Sequence, residues 1–146
     1  MKIGDFLKRP HQHLVTCLPG HSLEDIAKLL HANSIGAMPV CELGRQMVGI
    51  VSERDLVRSF ATTAGNELRH LRARDIMTAQ VVTCSPSDDM RTAEMLMRRH
   101  HIRHVPVVEA GRVMGMLSIR DTLALRLEES ESEINVLRDV VVAARH

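Results

Sequence analysis

Aromatic side chains are almost missing from this 146-residue sequence, which has two phenylalanines and neither tryptophan nor tyrosine. Proteins that hold single-stranded nucleic acid stack its bases on aromatic faces, so that class is disfavoured. An excess of one charge is missing too. Nineteen basic residues against eighteen acidic ones leave a formal net charge of +1, no general drive toward nucleic acid or anionic lipid. Cysteine is sparse: Cys17, Cys41 and Cys84 are odd in number and show no CxxC spacing, which argues against a disulfide framework and for a reducing compartment. No apolar run is long enough to span a bilayer, and residues 1–9 lack the apolar stretch of a signal peptide. The expectation is a cytoplasmic protein with neither a membrane nor a nucleic-acid partner.

What remains is ordinary globular composition, 45% hydrophobic and 25% charged. Methionine is plentiful, at nine, and its flexible thioether suits irregular small cores. The length fits one compact domain or two very small ones. A half-length unit buries too little surface to be comfortable alone, so two such units need each other.

Shifting the sequence by 67 residues, Val15 onto Val82, brings its halves into register. Val15-Thr16-Cys17-Leu18-Pro19 meets Val82-Thr83-Cys84-Ser85-Pro86, and Ile35-Gly36-Ala37-Met38-Pro39-Val40 meets Ile102-Arg103-His104-Val105-Pro106-Val107. Glu42-Leu43-Gly44-Arg45 meets Glu109-Ala110-Gly111-Arg112. After one dropped residue, Gly49-Ile50-Val51-Ser52-Glu53-Arg54-Asp55 meets Gly115-Met116-Leu117-Ser118-Ile119-Arg120-Asp121. So many glycines, prolines and aspartates in one order mark a duplicated unit.

Each copy reads as β-α-β-β-α. A short β-branched run, residues 14–17 or 81–84, ends at a proline. A helix follows, capped by Ser22 in the first copy, with Leu23, Ile26, Ala27 and Leu30 on one face, and by Ser87 or Asp88 in the second, with Met90, Ala93 and Met97. Two brief apolar segments about Gly44-Arg45 and Gly111-Arg112 read as hairpins. Gly49 and Gly115, in the second hairpin strands, permit close approach by something else. A closing helix starts at Ser52 or Ser118. Residues 62–74 read as a polar linker, and Arg74-Asp75-Ile76-Met77-Thr78 as a short helical lead-in. The fold class is α+β, two units each burying its open face on its twin. The divisions fall at 1–66, 67–126 and 127–146, the last a helical tail.

Val-Thr-Cys-x-Pro, Ile-x-x-x-Pro-Val and Gly-h-h-Ser-x-x-Asp, twice in order, resemble the CBS-domain family, and Asp75-Ile76-Met77-Thr78 looks like that family's opening of a second repeat. The resemblance covers residues 8–125. It implies two repeats packed pseudo-symmetrically (a Bateman module), with clefts between them for adenosine compounds, and frequent pairing of two modules into a disc. It also implies a regulatory unit with no catalytic residues and no required cofactor, its regulatory ligand an adenine nucleotide.

The chemistry of the motif ends fits that implication. Ser52 and Ser118 stand where a strand becomes a helix, and free backbone N–H groups with the positive helix end attract phosphate there. A serine hydroxyl donates to a phosphate oxygen, while the carboxylates of Asp55 and Asp121 offer two acceptors to ribose hydroxyls. The family assigns these roles to the matching residues, and Arg54 and Arg120 lie between them as further phosphate candidates. The plainer alternative is that Ser-x-x-acid is simply a helix-capping box. The second copy has Arg103-His104 where the first has Gly36-Ala37. Arg103 can clamp a phosphate and His104 add a donor that strengthens on protonation, or both continue the solvated basic edge of residues 98–101. Adenine is expected between the first strands (Val15, Thr16, Val82, Thr83) and the middle segments (Ala37, Met38, Pro39; Ile102, Val105, Pro106), its identity resting on the family alone.

His100-His101-x-x-His104 has part of a metal spacing, but Ile102 leads into a strand that breaks it, so no metal is expected. Cys17 and Cys84 read as small buried residues. In the tail, Leu127, Ile134 and Val141 follow a seven-residue spacing, with Ser130, Leu137 and Ala144 interleaved. The stripe either packs back on the module or serves self-association. The leading function is therefore a nucleotide sensor, expected as a homodimer that reports to an unknown effector protein. The alternatives are a ligand-free dimerisation scaffold, or a sensor of S-adenosylmethionine or NAD(H). Hydrolysis is disfavoured, because no nucleophile–base pair is visible.

Overall fold

The computed structural model describes residues 1–10 and 12–145. Its elements run α1 (Ile3–Leu7), α2 (Leu23–Ala32), β1 (Ala37–Cys41), β2 (Met47–Ser52), α3 (Glu53–Thr62), α4 (Gly65–Leu68), α5 (Ala73–Ile76), α6 (Met90–His100), β3 (His104–Glu109), β4 (Arg112–Ser118) and α7 (Ile119–Arg145). Helix α2 begins with a capping box in which Ser22 and Asp25 satisfy each other's backbone N–H groups. Its buried face is Leu23, Ile26 and Leu30. Helix α6 buries Met90, Ala93 and Met97 on the equivalent face. Its cap is Asp89, which accepts from Arg91 N, rather than the expected Ser87 or Asp88. Asp88 instead closes the preceding turn by accepting from Ser85 N at 2.8 Å.

Both expected hairpins form, β1 antiparallel to β2 and β3 antiparallel to β4. The second turns tightly through Ala110 (φ 51°) and Gly111 (φ 78°), the two left-handed positions a two-residue hairpin requires. The first copy spends its extra residue on a 3-10 turn at Leu43–Arg45. The opening strand of each copy contracts to one residue of parallel pairing, Cys17 with Val40 and Cys84 with Val107. Cys17 N donates to Pro39 O and Cys41 N to Cys17 O, and Cys84 repeats the pattern with Pro106 and Val108. The prolines that close these runs leave no room for a longer ladder.

Two apolar cores result, one per repeat, and each recruits a helix from the other end of its neighbour. Ile3 and Phe6 of α1 lie in the second core with Met90, Val105, Val107 and Leu117, so residues 1–66 serve both cores. Ala73, Ile76 and Met77 lie on the first core with Cys17, Ile26 and Val51. Backbone bonds hold both lead-ins, Gly4 N to Pro86 O (2.8 Å) and Ala73 N to His21 O (2.8 Å). The two strand glycines explain themselves here. A Cβ on Gly49 would stand 2.5 Å from Met77 Sδ and 2.9 Å from Thr78 O, and one on Gly115 2.6 Å from Leu7 Cδ2. What approaches each is thus the lead-in segment of the same chain. The hairpins also meet, with Met47 N donating to Gly111 O and Arg112 Nε to Gly44 O. Arg9 pairs with Glu128 at 3.0 Å, fastening the first lead-in to α7.

Candidate functional site

Strand β2 delivers Ser52 to the tip of α3, and β4 delivers Ser118 to the tip of α7. At the first tip Ser52 N donates to Asp55 Oδ2 (2.8 Å) and Asp55 N to Ser52 Oγ (3.4 Å). At the second, Ser118 N donates to Asp121 Oδ2 (2.7 Å) and Asp121 N to Ser118 Oγ (3.3 Å). The capping arrangement is therefore real in both copies. It consumes one carboxylate oxygen and leaves the other for chemistry.

The tips differ in what happens to that second oxygen. Asp55 is 7% exposed, and its Oδ1 accepts from Arg58 Nη1 at 3.3 Å. Asp121 is half-buried, and its Oδ1 has no partner among the described residues. Sequence reasoning missed Arg58, although the signal was there. Asp55 carries an arginine three positions on, on the same helical face, where Asp121 carries Ala124.

His104 occupies the junction between the repeats. A Cβ on Gly36 would lie 3.4 Å from its Cε1 and 3.8 Å from Glu53 Cδ, so the ring fits where the first copy has no side chain. Burial pushes its pKa below the ordinary imidazole value, while Asp121 and Glu53 pull upward and Arg103 and Arg120 push down. Glu53, from the first repeat, is the second residue the sequence did not single out. Arg54, Arg103 and Arg120 are exposed, and none pairs with a carboxylate among the described residues. Asp121, Glu53, Arg103 and Arg120 thus all lie near enough to His104 to act on its charge.

The expected base-binding residues sort by depth. Met38 and Val105 have no exposed surface and belong to the two cores, and Pro39 and Pro106 are equally enclosed. None of these four presents surface to a ligand, and the Pro39 and Pro106 carbonyls already accept from Cys17 N and Cys84 N. The expectation that they line a base pocket is therefore not met. Ala37 is buried, whereas Val15, Thr16, Val82 and Ile102 are half-buried and Thr83 is exposed. A groove of about 930 Å³ lies elsewhere, between α6 and α7, lined by Glu94, Arg98, Arg126 and Glu129 among others, and none of the expected residues borders it. No group of three or more His, Cys, Asp or Glu side chains able to hold a metal occurs among the described residues. No helix among them is long and apolar enough to cross a membrane.

Two interlocked α+β repeats, each with a Ser–Asp pair at the tip of its closing helix, define a tandem-repeat module. The family model for the CBS domain matches twice, over residues 3–62 and 73–128, and the chain belongs to that family as a CBS-domain pair. Its fold is similar to that of the CBS-domain containing protein ATU1752 from Agrobacterium tumefaciens, with 34% identity, 86% of this chain and 99% of that one covered, and a TM-score of 0.77. It is similar to the CBS domain protein PAE2072 from Pyrobaculum aerophilum, solved in complex with AMP, at 31% identity, 83% and 89% coverage and a TM-score of 0.72. It is also similar to the CBS domain pair of protein MJ0100, solved with 5-methylthioadenosine and S-adenosyl-L-methionine, at 25% identity, 88% and 98% coverage and a TM-score of 0.76. Among curated relatives the chain spans 88% of one, and 38%, 60% and 45% of three longer ones.

Proposed function

We propose that this CBS-domain pair is a non-enzymatic regulatory module that binds an adenine nucleotide (AMP, ADP or ATP) in the cleft between its repeats. One observation carries the reading: Asp121 Oδ1 is without a partner among the described residues, and Asp121, Arg103 and Arg120 all act on the half-buried His104. A carboxylate oxygen suits a ribose hydroxyl, and arginine guanidinium groups with the α7 tip suit a phosphate. The AMP carried by a similar pair supports the same chemistry. Binding would join groups from both repeats, since Glu53 and Gly36 come from the first and the rest from the second. A ligand preferring one relative packing then shifts the population toward it, and an effector protein reads the change. The second copy carries most of the affinity, because Arg58 already occupies Asp55.

The working form is a cytoplasmic homodimer. Val57 and Phe60 on α3 are 68% and 65% exposed, and Leu123, at the position in α7 equivalent to Val57, is 53% exposed. Uncovered apolar faces recurring at equivalent places suit a second copy. A sensor of a sulfonium or thioether adenosyl compound is the second reading, supported by the ligands of the MJ0100 pair.

A thermal-shift panel tests these readings with AMP, ATP, S-adenosylmethionine and NAD(H) against wild type, Asp121→Ala and Asp55→Ala. Ligand at a hundredfold its Kd adds about 2.7 kcal/mol, a rise of roughly 5–10 °C for a chain of this size. Asp121→Ala is expected to abolish the ligand-induced rise, and Asp55→Ala to leave most of it. A response to S-adenosylmethionine alone favours the second reading, and no response to any ligand favours a scaffold.

A further inference from the structure

Helix α7 runs for 27 residues, Ile119–Arg145, far beyond the length that closes the second repeat. Thr122 and Leu125 are its buried residues, and every residue from 126 to 145 is exposed. Its first turns beyond Leu125 still touch the body, Arg126 on Glu94 and Glu128 on Arg9, and line the α6–α7 groove as far as Glu133. The last part, residues 134–145 and about 18 Å of helix, therefore stands off it. A lone helix of that length, rich in valine, is marginal in water, because most helical stability comes from packing an apolar face. That face exists and is bare: Leu127, Ile134, Leu137 and Val141 are 64%, 48%, 64% and 50% exposed. Leu127, Ile134 and Val141 fall seven apart at the a position of a heptad, and Leu137 falls at d, with Ser130 at the preceding d.

We infer that the projecting part of α7 pairs with the same segment of a second copy as a parallel two-stranded coiled coil. Ile134 and Val141 at a, with Leu137 at d, is the combination that favours two parallel strands. The flanking charges choose the same partner and direction. Residue 133 is at g and residue 138 at e, so a parallel register sets Glu133 against Arg138 of the second copy, twice across the axis. It also sets Arg126 near Glu131 of the second copy, although Arg126 is shared with Glu94 at 2.9 Å. Overlapping the free segments head to tail, a layers on d layers, would instead set Glu133 against Val140 of the second copy and leave it without a cation. The pairing is separate from nucleotide binding and needs no ligand.

Cysteine cross-linking without nucleotide tests it, because the three native cysteines are buried. In the full chain, Ile134→Cys faces its counterpart across the seam, whereas Ser132→Cys points to the far side. Mild oxidation is expected to link the Ile134→Cys chains at least ~10-fold faster, since a disulfide needs the two Cβ atoms about 4 Å apart. Adding Glu133→Arg should slow that linking, and adding Glu133→Arg with Arg138→Glu should restore it. Restoration is peculiar to the parallel register, because head to tail the double reversal would set the new carboxylate at position 138 against Glu131 of the second copy. Equal rates for the two cysteine variants, or a double reversal no faster than the single one, would overturn the inference.

Discussion

Gly49→Ala asks whether the interlocking lead-ins are what the strand glycines are for. Neither Gly49 nor Gly115 has a positive φ, so a methyl costs nothing in backbone conformation and even trims unfolded-state entropy by about 0.4–1 kcal/mol. The cost is steric. At Gly49 the new carbon meets Met77 Sδ at 2.5 Å, which can swing away, and Thr78 O at 2.9 Å, which cannot. Thr78 is tied in both directions to Ile50, Thr78 N to Ile50 O at 2.9 Å and Ile50 N to Thr78 O at 3.0 Å. At Gly115 all three close contacts, at 2.6, 2.9 and 3.3 Å, belong to the side chain of Leu7. Overpacking costs about 1–3 kcal/mol, so Gly49→Ala belongs near the upper end and Gly115→Ala near the lower, with the entropy gain subtracted from each. The expected net losses are about 2 and at most about 1 kcal/mol, or roughly 4–8 °C and at most about 4 °C in Tm. Urea titration at fixed protein concentration reads both, as a fall in midpoint at unchanged slope. In a cycle with Met77→Ala, Gly49→Ala should show a coupling of about 1 kcal/mol, because shortening Met77 removes one of its two obstacles. Equal losses at the two glycines, a stabilised Gly49→Ala, or zero coupling to Met77 would refute the packing argument.

Two further outcomes follow from titratable groups. Burial holds the folded pKa of His104 below 6.5, so between that depressed value and 6.5 the unfolded chain binds the extra proton. The stability due to the neutral ring is complete above pH 6.5 and lost as pH falls through the folded value. His104→Asn should therefore show a flatter decline in urea midpoint from pH 7.5 to pH 5.5 than wild type, and parallel curves would contradict the assignment. Cys17 and Cys84 are each pushed up to about 12 by burial, and Cys41 is raised as well. Thiolate is the reactive form, so a disulfide reagent at pH 8 should label none of the three at the mixing rate and all of them as urea unfolds the chain. Immediate labelling of any thiol in native protein would count against the buried cores.

The duplication lies open in the sequence, because it is written in residue types whose backbone roles are local. Prolines close the short runs, Ala110-Gly111 turns the hairpin, and Ser–Asp pairs three apart cap the helices. Even the inequality of the two tips was legible, as an arginine or an alanine on the same face one turn beyond the aspartate. Helix α7 was visible as a heptad stripe, since 3.6-residue periodicity survives without any knowledge of the surroundings. The caps themselves were harder to place: Asp89 won over Ser87 and Asp88 because Asp88 was already used by Ser85.

Tertiary structure alone decided which parts interlock. That Phe6 belongs with Leu117, that Met77 fills the space over Gly49, and that His104 rests against Gly36 are contacts between residues far apart in the chain. Such pairs leave no periodic trace, since any apolar residue of suitable volume satisfies a core from either side. Sequence therefore determined the two units, their turns and their helix tips. Only packing decided that each unit completes its core with its neighbour's lead-in, because a half-length unit has too little apolar surface of its own to close.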